Sequence, residues 1–326
     1  MSWSTVSEAV RVIRKHSRFL ISAHVNPDPD AMGSALALAG LLKRLGKKVL
    51  IANEGGIPPA LGFLPKTAAV TDRRTRFDPQ AAMTVDVPIL SRLGNMASWV
   101  EETPVVVNID HHISNRSFGT VNFVDPSAGA TGEMVHRLYR AFRVRPSAKE
   151  AFCMYVAIVT DTGSFRYANS SPAVHRIAAE LIETGVRPLA VSQALYETYT
   201  PQDLRFLGEV LRRIRHSPDG RIAWVEVPRA LVRRHGAGPE IEDELVNYPR
   251  SIRTAEVAMV FREAEEPGRI RVNFRSKGRV DVNRIARVFG GGGHAAAAGC
   301  SLPGTLAAIR PRVLREVRSV LAKRKR

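Results

Sequence analysis

The chain is 326 residues long, enough for two domains with sizeable cores, and its 44% hydrophobic and 24% charged residues are ordinary for a soluble globular protein. Its two cysteines, Cys153 and Cys300, exclude a disulfide scaffold and match no zinc spacing, so a reducing compartment fits. A net charge of +17 suits attraction to polyanions, nucleic acid or nucleotides first among them, or a basic balance that serves solubility alone.

The opening stretch "MSWSTVSEAVRVIRKH" has no apolar core of the signal-peptide kind, and no later run is long enough to span a bilayer. A cytoplasmic protein without membrane contact is expected. The stretch reads instead as a first helix, with Thr5 and Glu8 as a capping-box pair and Val6, Val10 and Ile13 on one face. "RFLISAH" follows as a strand, "AMGSALALAGLLKRLG" as a helix closing on Gly46, and "KVLIAN" as a second strand. "AMTVDV" and "PVVVNID" add strands that are apolar on both faces, the mark of a parallel sheet covered by helices. Helical patterns continue in "GEMVHRLYRAF", "SAKEAFCMYVAIV" and "SPAVHRIAAELIETG"; in the second of these Cys153 reads as a buried small hydrophobe.

After Gly185 the texture changes. "RPLAVSQALYETYT" and "PQDLRFLGEVLRRI" read as two helices, the second with Thr200 as N-cap and Pro201 in its first turn. Three strand-like runs follow, "RIAWVEV", "TAEVAMVFRE" and "RIRVNFRS", then a short helix in "DVNRIARVF". The expected organisation is an α/β domain over residues 1–185, its parallel sheet carrying helices on both faces, a helical linker over 186–215, and a smaller α+β domain over 216–326. The terminal "KRKR" reads as a solvated tail.

The chemistry-bearing residues gather where the strands are expected to end. His24, Asp28 and Asp30 follow the first strand, Asp86 closes "MTVDV", and Asp110, His111 and His112 close "VVVNIDHH". Asp161 follows an apolar run in "VTDTGSF". In a parallel sheet, ligands collect outside the carboxyl ends of the strands, so four separate stretches can bring acids and imidazoles to one edge. Carboxylates packed together repel unless a cation compensates them, and mixed imidazole and carboxylate ligands suit Mn²⁺ or a similar divalent ion. The ligands suffice for two ions about 3.5–4 Å apart, a pair able to clamp phosphoryl oxygens and activate water. Taken singly, "NPDPD" and "DTG" are ordinary turn sequences and Asp86 an ordinary loop acid; in combination and in this order they are not ordinary.

"HVNPDPDAMGS", Asp86, "NIDHHISN" and "VTDTGSFRYANSSP" resemble, in order, the four motifs of the DHH phosphoesterase superfamily. "NFRS" and "FGGGGHAAAAGC" resemble the DHH-associated domain that many members carry, and the length and both ends resemble the branch that degrades short oligoribonucleotides and dephosphorylates 3′-phosphoadenosine 5′-phosphate (pAp). The resemblance implies that His24, Asp28 and Asp86 hold one metal, that Asp30, His111 and Asp161 hold a second, and that Asp86 bridges them, with Mn²⁺ as the usual ion. It implies that His112 faces the scissile phosphate and that Asp110 orients a histidine, activated water being the nucleophile. Val87 and Pro88 depart from the family pattern, which places small or polar residues after the aspartate. In the second domain, glycines let backbone N–H groups approach phosphate oxygens. The resemblance implies that Arg275, Ser276, Gly291, Gly292, Gly293 and His294 grip the substrate there, across a cleft whose span selects short RNA, pAp or dinucleotides. Members are often homodimers. A phosphodiesterase for cyclic dinucleotides or their linear products is the rival within the enzyme class, and an RNA-binding module with a decayed site the rival outside it.

Overall fold

The computed structural model describes residues 5–236, 241 and 244–323, which divide into two compact units, Met1–Leu195 and Tyr196–Arg326. The end of the basic tail, 324–326, lies outside the described residues.

The first unit is built on a six-stranded sheet. Helix α1 (Val6–Lys15) opens it, with Glu8 Oε2 accepting the Thr5 backbone N–H at 2.8 Å. Strand β1 (Arg18–Ser22) leads into helix α2 (Pro29–Arg44), and then come β2 (Lys48–Ala52), β3 (Val70–Thr71) and β4 (Ala81–Val85). Helix α3 (Ala97–Glu101), β5 (Val106–Asp110), β6 (Val121–Val124), α4 (Thr131–Phe142), α5 (Ala148–Asp161), α6 (Pro172–Glu183) and α7 (Pro188–Tyr196) complete it. The strand order is β3-β2-β1-β4-β5-β6, and every pairing is parallel. The strand β6 and the short β3 carry little periodic signal and were not separable from loop in the sequence.

Both faces of this sheet are buried, as its apolar strands require. Phe19 and Ile21 point into a core with α1, α2, α4 and α5, while Leu20 and Ala82 point the other way onto Leu93, Trp99 and Val100. Helix α2 is apolar nearly all round because it is enclosed nearly all round, with residues Asp30 to Leu42 buried. Gly33 is what permits this, since a Cβ there would stand 2.6 Å from the Cys153 carbonyl oxygen of α5. Cys153 itself is fully buried, as expected of a packed thiol.

The second unit begins with helix α8 (Pro201–Arg212) and contains a second, mixed six-stranded sheet of order β11-β12-β10-β9-β8-β7. Its strands are β7 (Arg215–His216), β8 (Ile222–Val227), β9 (Val257–Glu263), β10 (Arg269–Ser276), β11 (Gly292–Gly293) and β12 (Ala297–Pro303). Trp224, Met259, Phe261 and Phe274 pack on one face beneath the helices Val282–Val288 and Leu306–Lys323. Val225, Val227 and Val260 pack on the other face with Phe206 and Val210 of α8. The stretch 186–215 is therefore no separate layer: Val186 and Val191 join the first core and α8 joins the second, because each amphipathic helix has a hydrophobic face to cover. Among the described residues, no helix is long and apolar enough to cross a membrane.

Candidate metal centre

In the first sheet β1 and β4 are neighbours, although the chain visits β2 and β3 between them. Their connections leave toward opposite edges, so a crevice opens outside their carboxyl ends. His24 follows β1 and Asp86 follows β4, one on each lip. β5, next to β4, delivers Asp110, His111 and His112 to the same edge.

Three groups of ligand atoms converge there, each within 4.8 Å: His24, Asp28 and Asp86; Asp30, His111 and Asp161; and Asp86, His111 and His112. The Asp86 carboxylate joins them. Its Oδ2 lies 3.6 Å from His24 Nε2, while its Oδ1 lies 3.6 Å from His111 Nε2. Asp161 Oδ2 and Asp30 Oδ2 stand 3.5 and 3.8 Å from that same His111 nitrogen, and Asp28 Oδ2 stands 3.9 Å from His24 Nε2.

Local structure aims each side chain. Asp28 is the N-cap of α2, with Oδ1 accepting the Ala31 N–H at 2.9 Å, and Pro29 opens the helix behind it. Asp30, one residue into the helix, points elsewhere: its carboxylate accepts the Thr131 and Gly132 N–H groups at the start of α4, at 2.8 and 2.9 Å, and the Ser34 hydroxyl at 3.0 Å. Asp86 has a left-handed φ of 59°, which turns its carboxylate into the crevice and sends Val87 into the core beside Leu20 and Val100. That burial explains why the residue after Asp86 is apolar. Asp161 arrives from the C-terminal end of helix α5, not from a strand, so the edge is lined by three strand ends and one helix end.

The imidazoles are oriented by their other nitrogens. His24 Nδ1 donates to the Val25 carbonyl at 2.9 Å and His111 Nδ1 to the Ala128 carbonyl at 3.2 Å, so in both rings Nε2 is the nitrogen left facing the carboxylates. His112 Nδ1 donates to Asp110 Oδ1 at 2.7 Å. Asp110 is fully buried, and its second oxygen accepts from Asn115 Nδ2, itself tied to Asn108. Asp110 thus stands behind His112 and outside the three ligand groups.

Four side chains escaped the sequence reading. Asn115 and Asn108 frame Asp110; Thr131 donates from its hydroxyl to Asp86 Oδ1 at 3.1 Å; Asn169 donates to the Asp161 carbonyl oxygen at 3.1 Å and to Gly129 O at 2.8 Å. The three asparagines lie inside or beside the recognised motifs and were findable as hydrogen-bonding companions of the acids. Thr131 had no such signal, since it meets Asp86 only through the fold.

The electrostatics fit a divalent cation. Burial, then Asp86 and Asp161, push the Asp30 carboxyl well above the usual range, despite three donors. Asp161 is pushed up to about 7, by burial and by the neighbouring carboxylates against the pull of His111. Burial would lower His111, but Asp161, Asp86 and Asp30 outweigh it and raise it to about 9. Burial would raise Asp86, yet the His24 hydrogen bond and the surrounding imidazoles hold it far below its ordinary value. Without a cation the cluster thus retains protons that a cation would displace. Four carboxylates, three imidazoles and no thiolate form a donor set for Mn²⁺ and similar ions.

Comparison with known proteins agrees with this geometry. Residues 18–158 match the DHH family N-terminal domain and residues 225–323 match the DHHA1 domain. The bifunctional oligoribonuclease and PAP phosphatase NrnA of Thermus thermophilus is 35% identical over 304 residues, covering 93% of this chain and 90% of that protein. The chain belongs to the DHH family. The protein of the same description from Bacillus subtilis is 29% identical, covering 91% of this chain and 93% of its own length. Among solved structures, an exopolyphosphatase-related protein from Bacteroides fragilis superposes with a TM-score of 0.88 at 27% identity, covering 98% and 95% of the two chains. The DHH triplet of the family name is Asp110, His111 and His112 here, and the middle residue lies 3.6 Å from Asp86 and 3.5 Å from Asp161.

In the second unit the glycine run is a hairpin arm, not a linker. Gly292 and Gly293 pair with Gly299 and Ala298 of β12, and His294 N–H donates to Ala297 O across the turn. Gly291 is obligatory, because a Cβ there would stand 2.1 Å from the Gly299 oxygen. Arg275 lies on β10 opposite Ala297, and its Nη1 donates to Phe274 O. Ser276 is buried, and its Oγ accepts the Gly278 N–H at 3.3 Å, which secures the turn after β10.

Proposed function

We propose that the protein is a phosphoesterase, dependent on two divalent cations and served by Mn²⁺, that hydrolyses short oligoribonucleotides to mononucleotides and removes the 3′-phosphate of pAp. The observation that carries this reading is the Asp86 carboxylate, whose two oxygens face two different imidazole–carboxylate groups. The substrate class follows from the T. thermophilus and B. subtilis relatives, whose descriptions name both activities and whose similarity runs through both domains.

His24, Asp28 and Asp86 would hold one cation and Asp30, His111 and Asp161 the other, with Asp86 common to both sets. Bound there, the cations supply Lewis acidity that neutralises phosphoryl oxygens and activates water. The chain's own part is orientation and charge. The N–H groups opening α4 hold Asp30, Thr131 holds Asp86, and Asn169 holds the end of α5 that carries Asp161. His112, its Nδ1 fixed by Asp110, offers Nε2 to a non-bridging phosphate oxygen as charge builds on it. Burial would lower the His112 pKa, but the Asp110 hydrogen bond and the charge of Asp86 raise it, favouring a cationic donor. As water attacks, the ester P–O bond breaks and the leaving oxygen takes up a proton. In the second unit, Arg275, His294 and the backbone of Gly291, Gly292 and Gly293 bind the non-reacting part of the substrate.

A turnover panel tests the reading: pAp, dinucleotides, longer RNA, short DNA, cyclic dinucleotides and pyrophosphate, each with Mn²⁺. Rapid hydrolysis of pAp and dinucleotides is expected, with pyrophosphate untouched. Equal turnover of dinucleotides and long RNA, or preference for a cyclic dinucleotide, overturns it.

A further inference from the structure

The second unit carries a pocket of about 340 Å³ lined chiefly by Arg212, Arg213, Arg215, Arg310, Glu226 and Pro228. It lies at the β7 edge of the second sheet, whereas the glycine hairpin lies at the opposite edge, beyond β12. Its parts come from three places in the chain. Arg212 ends α8 and Arg213 caps it, Arg215 opens β7, and Glu226 and Arg310 reach in from β8 and the helix Leu306–Lys323.

Four arginines and one glutamate thus line a single pocket. Glu226 pairs with Arg310 at 2.7 Å, leaving Arg212, Arg213 and Arg215 exposed and without a hydrogen bond or ion pair among the described residues. Simpler reasons account for each residue alone. A cation near a helix C-terminus is favourable, which suits Arg212 and Arg213, and a charge on an edge strand deters strand addition, which suits Arg215. Neither reason calls for the three to line one pocket beside a fourth arginine, a concentration of positive charge that attracts anions. Guanidiniums suit phosphate because their forked donors match two of its oxygens. Among the described residues no aromatic ring lines the pocket, so they offer a base nothing to stack on and phosphate is the group read.

We propose that this pocket binds backbone phosphates of single-stranded RNA, independently of base sequence and of the metal centre. It accounts for part of the protein's net charge of +17, which the hydrolysis of a dinucleotide does not require.

The test measures binding of a fluorescein-labelled single-stranded 24-mer RNA by anisotropy, in EDTA to prevent cleavage, across a salt series. The variant is R212Q/R213Q/R215Q; all three side chains are exposed, and a thermal melt verifies its fold. Each phosphate contact on a single strand contributes about 0.7 to the slope of log K against log salt, so losing three lowers the slope by about 2 and weakens binding at least tenfold at low salt. Dinucleotide turnover stays at the wild-type rate, and R212K/R213K/R215K retains most of the slope. A slope unchanged within about 0.5, or a parallel loss of dinucleotide turnover, overturns the proposal. So does displacement of the RNA by a nucleoside triphosphate at near-stoichiometric concentration, which would assign the pocket to free nucleotides.

Discussion

Replacing Asp110 with asparagine separates the positioning of His112 from the holding of metal. Asp110 is fully buried and accepts two hydrogen bonds, from His112 Nδ1 at 2.7 Å and from Asn115 Nδ2. Asparagine has one acceptor where aspartate has two. If its oxygen faces His112, its NH₂ meets the NH₂ of Asn115, which can still turn to Asn108 Oδ1 at 2.7 Å. The His112 bond then survives as a neutral one. A hydrogen bond to a charged group contributes about 1.5–3 kcal/mol and a neutral one about 0.5–1.5 kcal/mol, so the loss is about 1–2 kcal/mol. At about 1.4 kcal/mol per factor of ten, kcat falls roughly 5- to 30-fold. KM and the bound Mn²⁺ stay at wild-type values, because Asp110 belongs to none of the three ligand groups. Steady-state turnover of a dinucleotide, with metal content measured on the same preparation, decides the matter. Loss of an ion in parallel with activity would falsify the positioning role, and an unchanged kcat would show that the hydrogen bond contributes nothing to the reaction.

Three further outcomes follow from the same geometry. Asp86→Asn keeps the left-handed backbone, which asparagine tolerates, and removes the shared charge; Mn²⁺ affinity should fall at least ~100-fold with circular dichroism unchanged, and retention of both ions at full affinity would refute the bridge. Metal affinity should rise with pH between about 6 and 9. Raised pKa values keep protons on Asp161, near 7, and on His111, near 9, so protons compete with the cation as pH falls; calorimetry in buffers of different ionisation enthalpy should register their release, and a pH-independent affinity would contradict this. Gly33→Ala gains about 1 kcal/mol of helix propensity but sets a methyl 2.6 Å from the backbone oxygen of Cys153, an overpacking that costs about 1–3 kcal/mol. The melting temperature should drop and activity fall with it, since Asp28 and Asp30 ride on the same helix; a stabilised, fully active variant would mean that α2 and α5 separate freely.

The chemistry was legible in the sequence because its parts are local. A histidine, a proline and two alternate aspartates must adopt a strand-end turn and a helix start, and the apolar strands on either side of Asp86 and Asp110 could only belong to a covered parallel sheet. The pairing of ligands was not local. Asp28 and Asp30 are two residues apart, yet one caps α2 and meets His24, while the other receives the N-terminus of α4 and meets His111. Helix geometry sets that divergence, since residues two apart on a helix point to different sides.

What the sequence determined by itself was the inventory: six candidate ligands, the placing of five of them just after strands, and the glycines that close packing demands. Tertiary structure decided the rest. It brought β4 beside β1 so that Asp86 could face two groups at once, seated Thr131 against it, and set Asp110 behind His112 among asparagines. It buried Ser276 in its turn and gathered arginines from α8, β7 and the last helix around one pocket. Thr131 and Asp86 meet across 45 positions of sequence, and composition and periodicity carry no record of which distant residues the packing around each sheet will bring within hydrogen-bonding reach.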